Sequence, residues 1–225
     1  MTHLESELKK LREETEAMWR LVISQLEKSH NALFDFDKGL CHEVLATEKR
    51  VNGMELALDR NCEHLFALHT PVATDLRLVL AVLKIVNNLE RLGDIAEGIC
   101  KYLLSEEQPY DKQLIKLIQL DEMYVKALAI VEDTLVAFQE EDTKLARTIF
   151  LRDNELDTIN NLANQRLIEY ISLRPDNIGQ ALNALSIVRR LERVGDQSKN
   201  MAEEVIFYLE AKVLRHKGKK KQTQE

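Results

Sequence analysis

The sequence predicts an all-α protein, an elongated pair of three-helix bundles in tandem, and three observations carry that reading. The first is a shortage of turn residues. The 225-residue chain holds 7 Gly and 3 Pro, well below the average usage of roughly 12% for the two together. Strand-rich, collagen-like and Pro/Gly-rich disordered chains all need more. The second is periodicity. Leu78, Val82, Ile85, Leu89, Leu92, Ala96 and Ile99 follow one another at alternating steps of four and three, as do Ile187, Leu191, Val194, Ser198, Met201, Val205 and Tyr208. Such seams bury one side of a helix against its neighbours. The third is an internal repeat. A shift of 105 takes Trp19 to Tyr124, Asp37 to Asp142, Leu40 to Leu145, Val44 to Ile149 and Glu48 to Asp153. A shift of 102 takes Ile85 to Ile187, Leu89 to Leu191, and Glu90-Arg-Leu-Gly-Asp94 to Glu192-Arg-Val-Gly-Asp196. Three helices written twice make two bundles.

Six helices are expected in order, over residues 3–34, 38–69, 72–104, 112–139, 142–172 and 176–214. Asp37 is the candidate N-cap of the second, because a carboxylate there accepts the first orphan N–H groups. Asp142 has the same role in the fifth. Pro71 and Pro175 lie near the starts of the third and sixth, where a missing N–H costs nothing. Gln108-Pro109-Tyr110 separates the third from the fourth and is the expected junction. The domain reading is therefore 1–108 for the first repeat, 109–214 for the second, and 215–225 for a basic, disordered tail. Helices of some 30 residues would be roughly 45 Å long, so the molecule should be elongated. Hydrophobic residues make up 45% of the chain and aromatics 5%, so Leu, Val, Ile and Ala must fill the core.

The charge balance narrows the partners. There are 31 Lys and Arg against 38 Asp and Glu, a formal charge of −7. Six of the basic residues fall between Lys212 and Lys221, so the body is more acidic still, which argues against direct binding of nucleic acid. The run Lys217-Gly-Lys-Lys-Lys221 could touch an anionic surface, or simply be solvated. Cys41, Cys62 and Cys100 are odd in number and show no CxxC spacing. They read as small buried side chains in a reducing compartment. The N-terminus lacks a basic region followed by an apolar run, and no stretch of about 18 uncharged apolar residues exists. A cytoplasmic, soluble protein is expected.

The residues with chemistry to offer are carboxylates in register. Glu90, Asp94 and Glu97 share one face of the third helix. Glu48, Asn52, Glu55 and Asp59 make a stripe on the second, which should run antiparallel to it. The repeat partners are Glu192 and Asp196 on the last helix, and Asp153, Asp157, Asn160 and Asn164 on the fifth. Like charges at i,i+4 destabilise a helix by about 0.2–0.5 kcal/mol per pair, so something should compensate. Gly93 and Gly195 sit inside these helical patterns at a cost of about 1 kcal/mol each relative to Ala, which implies close approach of another chain segment or room for a ligand. All-oxygen ligands favour hard or borderline cations such as Mg, Ca, Mn or Fe. The competing reading is ion pairing, strongest in the second half, where Arg189 and Lys199 lie on the stripe of Glu192 and Asp196.

With these motifs the chain resembles the PhoU family, the phosphate-signalling proteins of bacteria. The resemblance rests on Glu90-Arg-Leu-Gly-Asp94 and Glu192-Arg-Val-Gly-Asp196, supported by Thr74-Asp-Leu-Arg-Leu78, Val51-Asn-Gly-Met-Glu55 and the two-fold repeat. It spans nearly the whole chain, from about residue 4 to 212. It implies two three-helix bundles, often paired as a homodimer, with Glu/Asp-x-x-x-Asp motifs that bind multinuclear metal (Fe, Mn, Mg or Zn) in some members. Carried over, the metal ligands are Glu48, Glu90, Asp94, Asp153, Asp157, Glu192 and Asp196; the helical stripes add Glu55 and Glu97. The implied role is negative regulation of the phosphate-starvation response by a non-enzymatic adaptor. Its implied partners are an ABC phosphate transporter ATPase and a membrane sensor histidine kinase, through which it would reach the membrane peripherally. Two positions depart from the family pattern: Asn52 stands where the first motif would have Asp, and Gln197 where many members place His.

Two other readings stay open. A carboxylate-bridged di-iron enzyme needs Glu-x-x-His on two helices; Glu27-Lys-Ser-His30 supplies one, while its repeat partner ends in Leu135. A metal-free helical scaffold would leave the acidic faces merely solvated.

Overall fold

The computed structural model describes residues 2–214, and these are helical almost throughout, with no strand among them. The first repeat is α1 (His3–Asp35), α2 (Lys38–His69) and α3 (Ala73–Ser105); the second is α4 (Lys112–Leu117), α5 (Leu120–Gln139), α6 (Thr143–Leu173) and α7 (Ile178–Glu210), with a 3-10 turn at Pro175–Asn177 before α7. The basic run Lys217 to Lys221 and the tail 215–225 lie outside the described residues.

The expected caps are in place. Asp37 accepts hydrogen bonds from the backbone N–H groups of Gly39 and Leu40, and Asp142 from those of Lys144 and Leu145. Each is preceded by a residue in the left-handed region, Phe36 at φ 56° and Glu141 at φ 54°. The same tight turn thus opens the middle helix of both repeats. A cap of this kind contributes about 1 kcal/mol. Thr2 and Glu5 form a reciprocal capping box at the start of α1.

Two differences from the expected elements have physical causes. The expected helix 112–139 is two helices, because Gln119 adopts φ 55° and breaks the chain of hydrogen bonds. The Arg166 guanidinium from α6 donates to the Leu117 carbonyl at 3.0 Å and to Gln119 Oε1 at 2.5 Å, supplying partners that the break would otherwise leave unmet. The last helix stops at Glu210 rather than 214, closed by Ala211 at φ 55°, whose N–H returns to the Phe207 carbonyl.

Helix α2 packs on α1 and α3, and α6 packs on α5 and α7, while α3 lies against α7 and α1 against α5. Both central pairs run antiparallel. Arg77 Nε donates to the Tyr208 carbonyl at 3.0 Å and Lys84 Nζ to Glu204 Oε2 at 2.9 Å, so low numbers on α3 meet high numbers on α7. Trp19 near Phe138, and Ser29 against Tyr124, set the same order for α1 and α5. One hydrophobic core runs through both repeats. Its seams are the expected ones: Val82, Ile85, Leu89 and Leu92 on α3, and Ile187, Leu191, Val194 and Met201 on α7, are fully buried. The repeat-related Trp19 and Tyr124 are each fully buried. Cys41, Cys62 and Cys100 are free thiols inside this core, and burial pushes the Cys62 thiol up to about 12. Among the described residues no helix is long and apolar enough to cross a membrane. The acidic stripes lie along the grooves where α2 packs on α3 and α6 packs on α7.

Candidate functional site

In the first groove Glu48 is the deepest carboxylate. It is 4% exposed, and it reaches from α2 onto the bare backbone of Gly93 in α3. A side chain at position 93 would occupy the space the carboxylate uses, which accounts for a glycine in mid-helix. From α1, Gln25 Nε2 donates to Glu48 Oε2 at 2.9 Å. The other oxygen, Oε1, is buried without a hydrogen-bond partner.

Glu90, Asp94 and Glu97 stand near Glu48, and Glu55 and Asp59 extend the cluster along α2. Burial pushes the Glu48 carboxyl up to about 7; the Gln25 donor opposes this, and the charges of Asp94, Glu97 and Glu90 add to it. Glu55 is raised by its own burial and by Asp59 and Asp94, with the Asn87 amide working the other way. Glu90 is raised by burial, Asp94 and Glu55, with Arg91 opposing. Glu97 pairs outward with Lys101 at 2.5 Å. Among the described residues no Lys, Arg or His nitrogen lies within 4 Å of a carboxylate oxygen of Glu48, Glu55, Asp59, Glu90 or Asp94. The structure therefore brings Glu48, Glu55, Glu90, Asp94 and Glu97 into one electrostatic neighbourhood and adds Asp59 to it.

The second groove repeats the plan with one change. Asp153 of α6 is 2% exposed and rests on Gly195 of α7 as Glu48 rests on Gly93. Asp157, Glu192 and Asp196 stand around it, and the carboxyls of Asp153 and Glu192 are raised. Burial is the main cause for both Asp153 and Glu192. Here, however, a cation is present. Lys199 Nζ lies 2.5 Å from Asp153 Oδ2 and 2.8 Å from Asp196 Oδ1. Burial disfavours its charge, and the two carboxylates more than offset that, holding the ammonium well above the usual lysine range. Of the ion-pairing partners expected from the sequence, Lys199 is engaged. Arg189 instead reaches Asn164 Oδ1 at 3.4 Å.

The donor set of the first groove suits a hard or borderline cation: it is all oxygen, carries several formal charges and includes a buried oxygen with no partner. The second suits one poorly, because its two best-placed carboxylates are already bridged. Among the described residues, no three His, Cys, Asp or Glu side chains are arranged so as to hold a metal ion. His30, the one histidine of a Glu-x-x-His spacing, is engaged elsewhere. Its Nε2 lies 3.0 Å from Asp121 Oδ1 and its ring packs on Phe34 and Tyr124.

Gln25 is the participant that sequence reasoning missed. The available signal was a polar residue in the buried stripe of α1, among Met18, Val22, Leu26 and Leu33.

Known proteins share this fold. The family described as PhoU domain matches the chain twice, over residues 15–103 and 120–205. The phosphate-specific transport system accessory protein PhoU of Edwardsiella tarda is 32% identical over 213 residues, covering 95% of this chain and 87% of that one. The homologue from Pseudomonas aeruginosa is 33% identical over 215 residues, covering 95% and 88%. Among solved structures, the crystal structure of PhoU from Pseudomonas aeruginosa aligns with a TM-score of 0.85 at 30% identity, over 93% of this chain and all of that one. The phosphate transport system regulatory protein PhoU from Streptococcus pneumoniae aligns at 0.80 with 27% identity, over 94% and 99%.

Proposed function

This chain belongs to the PhoU domain family, and from that premise we propose that it is an accessory protein of a phosphate transport system, working as a cytoplasmic regulatory adaptor rather than an enzyme. In this reading it restrains phosphate uptake and the phosphate-starvation response when phosphate is plentiful, by linking the ATPase of an ABC phosphate transporter to a sensor histidine kinase. Homodimerisation belongs to the same reading. What supports it is a family match that takes in both repeats, with relatives of that name aligned over nearly the whole chain.

The adaptor would carry metal in its first groove. The observation behind this is the buried Glu48, with one oxygen held by Gln25 and the other without a partner among like charges. Glu48, Glu90 and Asp94, with Glu55 and Glu97 beside them, would hold the ion once their side chains converge further than they do here. A bound divalent cation would supply the positive charge that this cluster lacks, tying α2 to α3. Gln25 orients the Glu48 carboxylate, and Gly93 provides the space for it.

Deletion of the gene in its own host tests the regulatory role. Phosphate-responsive genes should then be expressed in high phosphate and return to silence on complementation. Unchanged expression would refute the role.

A further inference from the structure

We propose that Lys199 is the resident cation of the second acidic cluster, and that its ammonium closes that cluster to divalent metal.

The two grooves are related by the repeat, so their differences can be compared position by position. The shift of 102 that pairs Glu90 with Glu192, Gly93 with Gly195 and Asp94 with Asp196 also pairs Glu97 with Lys199. One groove therefore has an acid where the other has a base. The shift of 105 that pairs Glu48 with Asp153 pairs Gln25 with Ile130, which is buried in the core. These two exchanges complement each other. Among the described residues each buried carboxylate has one side-chain donor: Gln25 from α1 for Glu48, and Lys199 from α7 for Asp153. An amide satisfies a lone pair and leaves the charge unbalanced. An ammonium satisfies a lone pair and balances the charge as well.

The position of Lys199 decides the consequence. It bridges Asp153 on one helix and Asp196 on the other at hydrogen-bonding distance. A metal joining α6 to α7 would need those same oxygens, and it would meet a fixed positive charge within bonding range of both. Glu97 in the first groove instead points its oxygen at Lys101, and among the described residues no ammonium pairs with Glu48 or Asp94. This inference goes beyond the metal reading of the first groove and does not depend on it.

The test is equilibrium dialysis with Mn2+, which prefers oxygen donors, on the full chain, read by elemental analysis and by the EPR signal of free Mn2+. Lys199→Glu, which restores the charge found in the first repeat, should bind more Mn2+ per chain than the wild type. Adding Asp196→Asn should abolish that gain. In the wild-type background, Glu192→Gln with Asp196→Asn should leave bound Mn2+ unchanged. If Lys199→Glu fails to fold by circular dichroism, Lys199→Gln removes the cation, keeps a donor and carries the same expectation. Gain in a Lys199 variant with no Mn2+ on the wild type would refute metal in the first groove while upholding the role of Lys199. No gain in a folded Lys199 variant, or loss of Mn2+ from the wild type on mutating Glu192 and Asp196, would overturn the proposal.

Discussion

The carboxylate of Glu48 lies directly on Gly93: a β-carbon placed on that glycine would fall 2.5 Å from Glu48 Oε2. The glycine and the acid are therefore one device written on two helices. Each explains why the other is tolerated, the first in mid-helix and the second in a buried position.

Their coupling can be measured. Gly93→Ala adds helix propensity of about 1 kcal/mol, but it must push the Glu48 carboxylate from its seat. In the wild-type background we expect net destabilisation of about 1–3 kcal/mol, as for other overpacked sites. In a Glu48→Ala background the same change should stabilise by about 1 kcal/mol. Urea unfolding of the four proteins gives the cycle, and equal effects in both backgrounds would separate the two residues.

Glu48 also makes stability depend on pH. Its carboxyl is raised to about 7 by burial and by the charges of Asp94, Glu97 and Glu90. A raised acid binds its proton more tightly in the folded state. Its contribution is fully present below the ordinary carboxyl pKa of about 4.5 and is lost as pH rises through about 7. The loss amounts to at most roughly 3 kcal/mol. Glu48→Gln mimics the neutral form. With chelator present, its stability advantage over the wild type should be absent near pH 5 and grow to about 1–3 kcal/mol by pH 8. A difference that stays flat across this range would mean that Glu48 does not titrate there.

The sequence revealed what depends on local chemistry and periodicity. Asp37 and Asp142 were visible as caps because capping needs only a side chain and its own next turn. The α3 and α7 seams were visible because apolar steps of three and four state which face is buried. The break at Gln119 was not visible, since no Gly or Pro marks it and the groups that stabilise it come from Arg166 on another helix. The same holds for the groove. The stripes could be read along each helix, whereas the link from Gln25 to Glu48 joins α1 to α2 across the core. Lys199 was legible as a residue of its stripe. Its reach to Asp153 on α6 was not.

The metal reading makes its own prediction. Protein purified without chelator should carry metal, and Glu90→Ala with Asp94→Ala should carry less, as read by elemental analysis of both. Asp94 is exposed and Glu90 only half-buried, so this pair can be removed without opening the core, and the fold should survive. Equal, near-zero metal in the two proteins would leave the first groove a docking or ion-pairing surface.

The asymmetry between the repeats can also be tested by transplanting it. Gln25→Ile gives α1 the residue that α5 has at Ile130, and it removes the one side-chain donor to Glu48 among the described residues. Removing a donor from a carboxylate disfavours its charged form, so the Glu48 carboxyl should titrate above 7, and stability at pH 8 should fall by about 1–3 kcal/mol. Adding Glu97→Lys supplies the ammonium that the second repeat has at Lys199. If the grooves are equivalent frames, that ammonium reaches both Glu48 and Asp94, and the double variant should recover the lost stability while its Glu48 carboxyl drops below the wild-type value. Carbon NMR titration of the Glu48 side chain, with urea unfolding at pH 8, reads both effects. A double variant no more stable than Gln25→Ile alone would show that the position of the cation in the second groove depends on more than the repeat-related residues.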